Sequence, residues 1–210
     1  MKIVIFGANG KTGIHLVRQA LEMNNKVVAY IRNPRSMLLE HPNLKVVVGN
    51  LDEVLNLTDA ITGADACISA LGGGSLVHHS PEIIDGISNI IDVMEQESVP
   101  RFIYLSSLGA GESRFILPQP MRFLLANFIL RVPLADHNVN EQRLAKSKLK
   151  WTIIRPGGLT DGLLTEEFKY GSKIIKLKGS ASISRANVAA FMLKQLSDET
   201  NVNKSVWLYE

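Results

Sequence analysis

The chain has 210 residues, 46% of them hydrophobic and 20% charged, which suits one folded domain with a full core and excludes a disordered chain or two roomy domains. A net charge of +3, with both signs interspersed, excludes a nucleic-acid footprint. Cys67 is the only cysteine, so no intrachain disulfide forms, and the greasiest run, 121–130, is broken by Arg122 and Asn127 and falls short of the roughly 20 residues of a membrane span.

In chain order, the β-branched run Lys2–Phe6 predicts a first strand, and a glycine-rich loop leads from it into a helix marked by Ile14, Val17 and Leu21. Strands are predicted at Lys26–Ile31, Leu44–Val48 and Ala66–Ala70, the last with Cys67 as a small core hydrophobe. Ser80 and Pro81 supply a cap and a first-turn proline to a helix whose apolar face is Ile83, Ile87, Ile90, Ile91 and Met94. Strands follow at Arg101–Leu105 and Trp151–Arg155. Between them, 109–133 carries three prolines and many apolar side chains, and Glu141 with Lys146, Lys148 and Lys150 reads as a solvated helix face. The segment 159–181 is punctuated by glycine, with a weak strand at Lys173–Leu177. Ser184 then caps a helix with the stripe Val188, Phe191, Met192 and Leu196.

Strand alternating with helix predicts an α/β fold: a Rossmann-like doubly wound parallel sheet with helices on both faces, one domain over 1–210. The strands are nearly continuous hydrophobic runs, as burial on both faces requires. Ligands of such sheets bind beyond the carboxyl ends of the strands, so the insertions at 109–133 and 159–181 are expected to wall the site.

The loop Gly7-Ala-Asn9-Gly10-Lys11-Thr12-Gly13 directly follows the first strand and opens the first helix. In that setting Gly7 permits the sharp turn, Gly10 lets the backbone approach a pyrophosphate, and Gly13 lets the helix pack close. The helix N-terminus then offers N–H groups to the phosphates. Gly10-Lys11-Thr12 echoes the end of a Walker loop, but the glycine required five residues earlier is Ile5, which excludes a P-loop nucleotidase.

The second strand runs into Arg32, with Arg35 and Ser36 just beyond. A carboxylate here would bind the ribose hydroxyls of NAD; an arginine instead grips a 2′-phosphate and stacks on adenine. NADP(H) is therefore expected in preference to NAD(H), with Asn50, Leu51 and Asp52 flanking the adenine.

The segments Gly7–Gly13, Arg32, Val48–Asp52, Ser69–Gly73, Ile103–Ser107, Trp151–Gly158 and Ile183–Val188 occur in an order that resembles the atypical short-chain dehydrogenase/reductase superfamily, in its NAD(P)H-binding branch. That branch includes the biliverdin-IXβ reductase/flavin reductase group and the NmrA-like redox sensors. The resemblance implies that Leu71, Gly72 and Gly73 line the nicotinamide ribose, that Ser106 and Ser107 lie beside the nicotinamide, and that Pro156, Gly157 and Gly158 close the far wall.

The superfamily's Tyr-x-x-x-Lys pair is absent: the residues four beyond Tyr30, Tyr104 and Tyr170 are Pro34, Leu108 and Ile174, and Tyr209 lies too near the end. Counted from Trp151, the tyrosine and lysine positions hold Pro133 and His137. The biliverdin-IXβ/flavin reductase group also lacks the pair and has a histidine at the position of His137, though this chain departs from it at Gly158. A carbonyl receiving hydride needs a positioned acid, whereas a flavin, quinone or linear tetrapyrrole spreads the new charge and takes its proton from water. Ser107 and His137 are the candidate catalytic residues, with Asp136 expected to raise the His137 pKa and orient the ring. His78 and His79 diverge as neighbours, and no metal is expected. Around Ser107 the flanking residues are Leu105 and Gly109, which excludes a Gly-x-Ser-x-Gly nucleophile elbow.

The leading expectation is an NADPH-dependent reductase of a flat conjugated acceptor, with 115–130 as lid or floor and Arg114, Arg122 or Arg131 available to an anionic group on it. The alternative is a non-catalytic NADP(H)-binding redox sensor that signals to a protein partner; an epimerase or dehydratase is the third reading, weakened by the missing tyrosine. No nucleic acid and no membrane are expected as partners, and a cytoplasmic location follows from the lack of a signal-peptide pattern.

Overall fold

Strand β1 (Lys2–Phe6) sets the architecture: Ile3 and Ile5 face one side, Val4 and Phe6 the other, and all four are fully buried. Alternate residues of a strand point to opposite faces, so a strand greasy on both must sit centrally between two helical layers. The computed structural model, which describes residues 1–34, 37, 39–72, 75–119, 130–175, 177 and 181–210, places it so.

Around β1 stand α1 (Gly13–Glu22), β2 (Lys26–Ile31), β3 (Leu44–Val48), α2 (Val54–Ile61), β4 (Ala66–Ser69), α3 (Pro81–Gln96), β5 (Arg101–Leu105) and α4 (Arg131–Lys146). The chain continues through β6 (Lys150–Pro156), β7 (Gly158–Thr160), β8 (Lys169–Gly171), β9 (Ser182–Ser184), α5 (Arg185–Lys194) and β10 (Lys204–Tyr209). One sheet has the order β3-β2-β1-β4-β5-β6-β10-β8, parallel throughout except for β8 against β10; β7 and β9 form a separate parallel pair. This is the Rossmann-like arrangement.

The residues on one face of β1 pack with Leu16, Val17, Phe191 and Met192 of α1 and α5. Those on the other pack with Leu57, Ile87, Ile90 and Leu144 of α2, α3 and α4. Burial of each such side chain is worth about 1.5–3 kcal/mol. The Ser184 hydroxyl accepts from Asn187 N–H at 3.1 Å and caps α5, whereas Ser80 precedes α3 without a side-chain cap bond and leaves the start to Pro81.

Several expectations need correction. Strand β3 is largely exposed because it lies at the sheet edge, so its run of valines does not report burial on both faces. A strand of the 159–181 insertion lies at Lys169–Gly171, where it pairs antiparallel with β10; of the expected strand Lys173–Leu177 the described residues belong to none, and Lys176 lies outside the described residues. Pro133 belongs to the first turn of α4, where a missing N–H costs nothing. Glu141 is not on a solvated face; its carboxylate points inward.

Candidate functional site

The chain runs outward from β1 through β2 to β3 and then returns to the other side of β1 as β4. The loops after β1 and β4 therefore diverge and open a crevice at their carboxyl ends, the place where open α/β sheets bind ligands. Ala70 N–H bonds to Phe6 C=O at 2.9 Å and holds the two strands together up to the point of divergence. Gly7 turns the chain there with φ +74°, and a Cβ on it would meet the Ala70 carbonyl at 2.9 Å. A Cβ on Gly13 would overlap the Gly7 carbonyl oxygen, so the loop closes on itself only with glycine at that position. Thr12 and Gly13 are buried beneath the turn, while Asn9, Gly10 and Lys11 are exposed on it.

A cleft of about 700 Å³ runs from this turn toward β2 and β3. Of the sequence-predicted residues, Gly7, Asn9, Gly10, Arg32, Asn50, Leu51, Asp52, Leu71 and Gly72 line it; Lys11, Thr12 and Gly13 do not. Arg35 and Gly73 lie outside the described residues, as do Ser36, Arg122 and most of the 115–130 stretch. Tyr30 donates to the Asn50 carbonyl at 2.8 Å and Asn89 Nδ2 donates to the Leu51 carbonyl at 2.9 Å, which fixes the chain after β3 as one wall. Burial, with Glu53 and Asp52 nearby, pushes the Tyr30 hydroxyl up to about 12, so it stays a neutral donor. The opposing wall, missed in the sequence, is the start of α3: Glu82, Asp85, Gly86 and Asn89 at helical spacing. Their signal was the polar complement of the isoleucine stripe that marked the helix. Arg32 thus shares the cleft with the carboxylates Asp52, Glu82 and Asp85.

The ends of β5 and β6 carry the other predicted residues, none of which lines that cleft. Ser106 and Ser107 diverge. Ser106 is buried and its hydroxyl donates to Glu141 Oε1 at 2.6 Å; Ser107 is half-buried, its hydroxyl 3.4 Å from the Leu108 carbonyl. Arg155, 5% exposed, grips Glu141, 7% exposed, through Nε at 3.0 Å and Nη2 at 2.6 Å, and reaches Glu112 at 2.6 Å with Nη1. Burial alone would lower the Arg155 pKa, but the bonds from Glu141 and Glu112 raise it, and the same guanidinium holds Glu112 below the usual carboxylate range. Leu108 N–H bonds to the Pro156 carbonyl, Gly157 N–H to Leu208 and Gly158 N–H to Ala181, which lock this wall to its neighbours.

His137 sits on α4 with Nδ1 2.8 Å from the Tyr104 hydroxyl. Asp136 does not orient it: its two oxygens take His79 Nδ1 at 2.5 Å and Ser80 N–H at 3.0 Å. Nor is the His137 pKa raised. Desolvation lowers it, outweighing the opposite pull of Glu141 and Asp136. His79 is accordingly paired and not merely solvated; among the described residues no cluster of His, Cys, Asp and Glu stands ready for a metal ion. The exposed side chains Leu76, Val77, Phe115, Leu163 and Leu164 follow β4, β5 and β7. Ser184 Oγ and Asn187 Oδ1 pin the last two by bonds to Leu163 C=O and to the N–H groups of Thr165 and Glu166.

A family model described as NAD(P)H-binding matches residues 7–199. The chain belongs to that family. The resemblance to atypical short-chain dehydrogenase/reductases read from the sequence agrees with that family. The photosystem II assembly factor Ycf39 of Synechocystis is 27% identical over 168 residues, which are 78% of this chain and 47% of Ycf39, so the chain spans about half the length of that relative. ChuY, an anaerobilin reductase from Escherichia coli O157:H7, superposes with TM-score 0.82 at 24% identity over 100% of this chain and 97% of ChuY. A short-chain dehydrogenase/reductase from Veillonella parvula in complex with NADP gives TM-score 0.81 at 18% identity, covering 100% and 94% of the two chains. At those identities the likeness is one of fold.

The cradle of this NAD(P)H-binding chain fits a dinucleotide. Ile14 N–H bonds to the Gly10 carbonyl at 2.9 Å and Leu16 N–H to the Thr12 carbonyl at 3.1 Å, which sets the turn directly on the start of α1; Gly10 is exposed there, and a Cβ on Gly72 would meet nothing within 4 Å, leaving the β4 side open. Among the described residues, no helix is long and apolar enough to cross a membrane.

Proposed function

We propose that the protein is an NADPH-dependent reductase that transfers hydride to a flat conjugated acceptor such as a flavin, a quinone or a linear tetrapyrrole. The observation that carries this reading is the make-up of the β5–β6 end: Pro133 and His137 stand where the family's Tyr/Lys acid would be, and Tyr104 is buried behind His137. A nicotinamide dinucleotide supplies a hydride when bound. The Gly7–Gly13 turn and the α1 N-terminus hold its pyrophosphate, Arg32 takes the 2′-phosphate, and Ser107 and His137 offer hydrogen bonds at the nicotinamide. The exposed apolar side chains Leu76, Val77, Phe115, Leu163 and Leu164, on the segments after β4, β5 and β7, would supply the apolar surface that stacks a flat acceptor and excludes water. With hydride and a proton from water, the acceptor takes up two electrons and its charge is delocalised, so no strong acid is required.

The test is NADPH oxidation by the purified protein, beside NADH, with FMN, a quinone and biliverdin in turn. The expected result is saturable turnover with at least one acceptor and little with NADH. Tight NADPH binding with no turnover would transfer the reading to a redox sensor, for which Leu163, 85% exposed, is the favouring observation.

A further inference from the structure

We propose that Tyr104 is a positioning residue that holds His137 as the neutral ring with its proton on Nε2, so that this histidine meets its ligand as a hydrogen-bond donor and not as an acid. The proposal rests on the reading that His137 belongs to the nicotinamide end, but its wiring is fixed by geometry alone. The Tyr104 hydroxyl, on a side chain 1% exposed, has two partners among the described residues: Asn140 Nδ2 at 3.1 Å and His137 Nδ1 at 2.8 Å. An amide nitrogen only donates, so Asn140 occupies the phenol oxygen as an acceptor. The single phenol proton then has one remaining destination, the Nδ1 lone pair. A ring nitrogen that accepts carries no hydrogen, which leaves the proton on Nε2.

Protonating His137 would undo this arrangement. Nδ1–H would point at an oxygen already receiving Asn140, and the phenol proton would be stranded without a buried acceptor, at the full desolvation cost of that group. The charges nearby do not rescue the cation. Glu141 on the same helix is committed to Arg155 of β6 and to Ser106, and Asp136 to His79 and Ser80. Desolvation, the dominant influence on the ring, acts in the same direction, and burial likewise pushes the Tyr104 hydroxyl well above its usual range, so the phenol keeps its proton. Tyr104 and Asn140 thus decide which nitrogen of His137 is available and in what form. The proton consumed by the acceptor comes from elsewhere.

Long-range ¹H–¹⁵N correlation spectra of histidine-labelled protein test this directly, because imidazole nitrogens report tautomer and charge separately. The chain has five histidines, and His137→Asn identifies the signal of interest. In the unmodified protein His137 is expected to stay neutral, proton on Nε2, down to pH values below the ordinary histidine value of 6.5. In Tyr104→Phe its protonation midpoint moves upward or the Nδ1–H form appears, and the pH profile of NADPH oxidation changes on the acid side, with roughly a 2- to 10-fold loss of turnover for one hydrogen bond. A proton on Nδ1 in the unmodified protein overturns the proposal without any variant, as does a Tyr104→Phe spectrum identical to the original. Failure of NADPH to bind or react would instead defeat the functional reading while the tautomer result stood.

Discussion

At the scale of single residues, His137 shows how burial and partner choice override sequence neighbours. Asp136 precedes it in the chain, yet successive helix positions point about 100° apart, and the carboxylate reaches His79 instead. With its pKa lowered by desolvation, His137 is protonated in the unfolded chain before it is protonated in the folded one. The unfolded state therefore binds more protons on the acid side of the ordinary value of 6.5, and stability falls as pH drops through that value, levelling off below the folded pKa. His15 is lowered in the same way and adds to the slope, while the depressed Glu112 acts below its ordinary 4.5. His137→Gln should flatten the decline in melting temperature between pH 7.5 and pH 5.5, since a glutamine keeps a partner for Tyr104 and takes up no proton. An unchanged slope in the variant would show that His137 titrates as freely as in the unfolded chain. The glycine turn and Arg32 were readable as residues because their chemistry depends on adjacency in sequence; the roles of Tyr104, Asn140 and Glu141 depend on a strand and a helix meeting, which adjacency does not reveal.

At the scale of elements, the six strands read from β-branched runs are present with ends that agree within one residue, and a helix carries each of the three apolar stripes, the last of them up to Met192. Helix α4 was read only at its far end, as a solvated face from Glu141 onward; its start and its inward face escaped because that face is built from Asp136, Asn140 and Glu141 beside Leu134 and Leu144, a polar stripe that no hydrophobic period marks. Strand β10 escaped although Val206 and Leu208 alternate with less buried neighbours, a signal that was available. What replaces hydrophobic contact under α4 is the Arg155–Glu141 pair, which ties the helix to β6. A buried charge left wholly uncompensated costs about 3–5 kcal/mol, but Glu141→Gln leaves Arg155 still paired with Glu112, so only part of that is lost. Glu141→Gln should accordingly lower the melting temperature by roughly 5 °C in a chain of this length. The double replacement Glu141→Leu with Arg155→Met should recover most of that loss, since well-packed apolar pairs substitute for buried ion pairs without penalty. Thermal denaturation of the three proteins distinguishes these cases; a single variant as stable as the parent would mean the pair carries no weight.

At the scale of the whole molecule, sheet order and site location follow from one another. The return of the chain from β3 to β4 across β1 creates the crevice, and the glycine loop is there because β1 is where the order reverses. That much was legible from strand–helix alternation and a loop in the right place. The start of α3 as the second wall was not, because Glu82, Asp85 and Asn89 read as an ordinary solvated face until the helix is docked beside Leu51. Their carboxylates, with Asp52, oppose a 2′-phosphate, and Arg32 attracts it. The proposed preference for NADPH is thus a contest within one cleft, and equilibrium titration of NADPH and NADH against the unmodified protein and Arg32→Glu decides it. The account predicts tighter binding of NADPH, and in the variant a loss of roughly 10- to 100-fold for NADPH, the worth of a charge-assisted hydrogen bond, with little change for NADH. Equal affinity for the two nucleotides, or an equal loss of both in the variant, would contradict it.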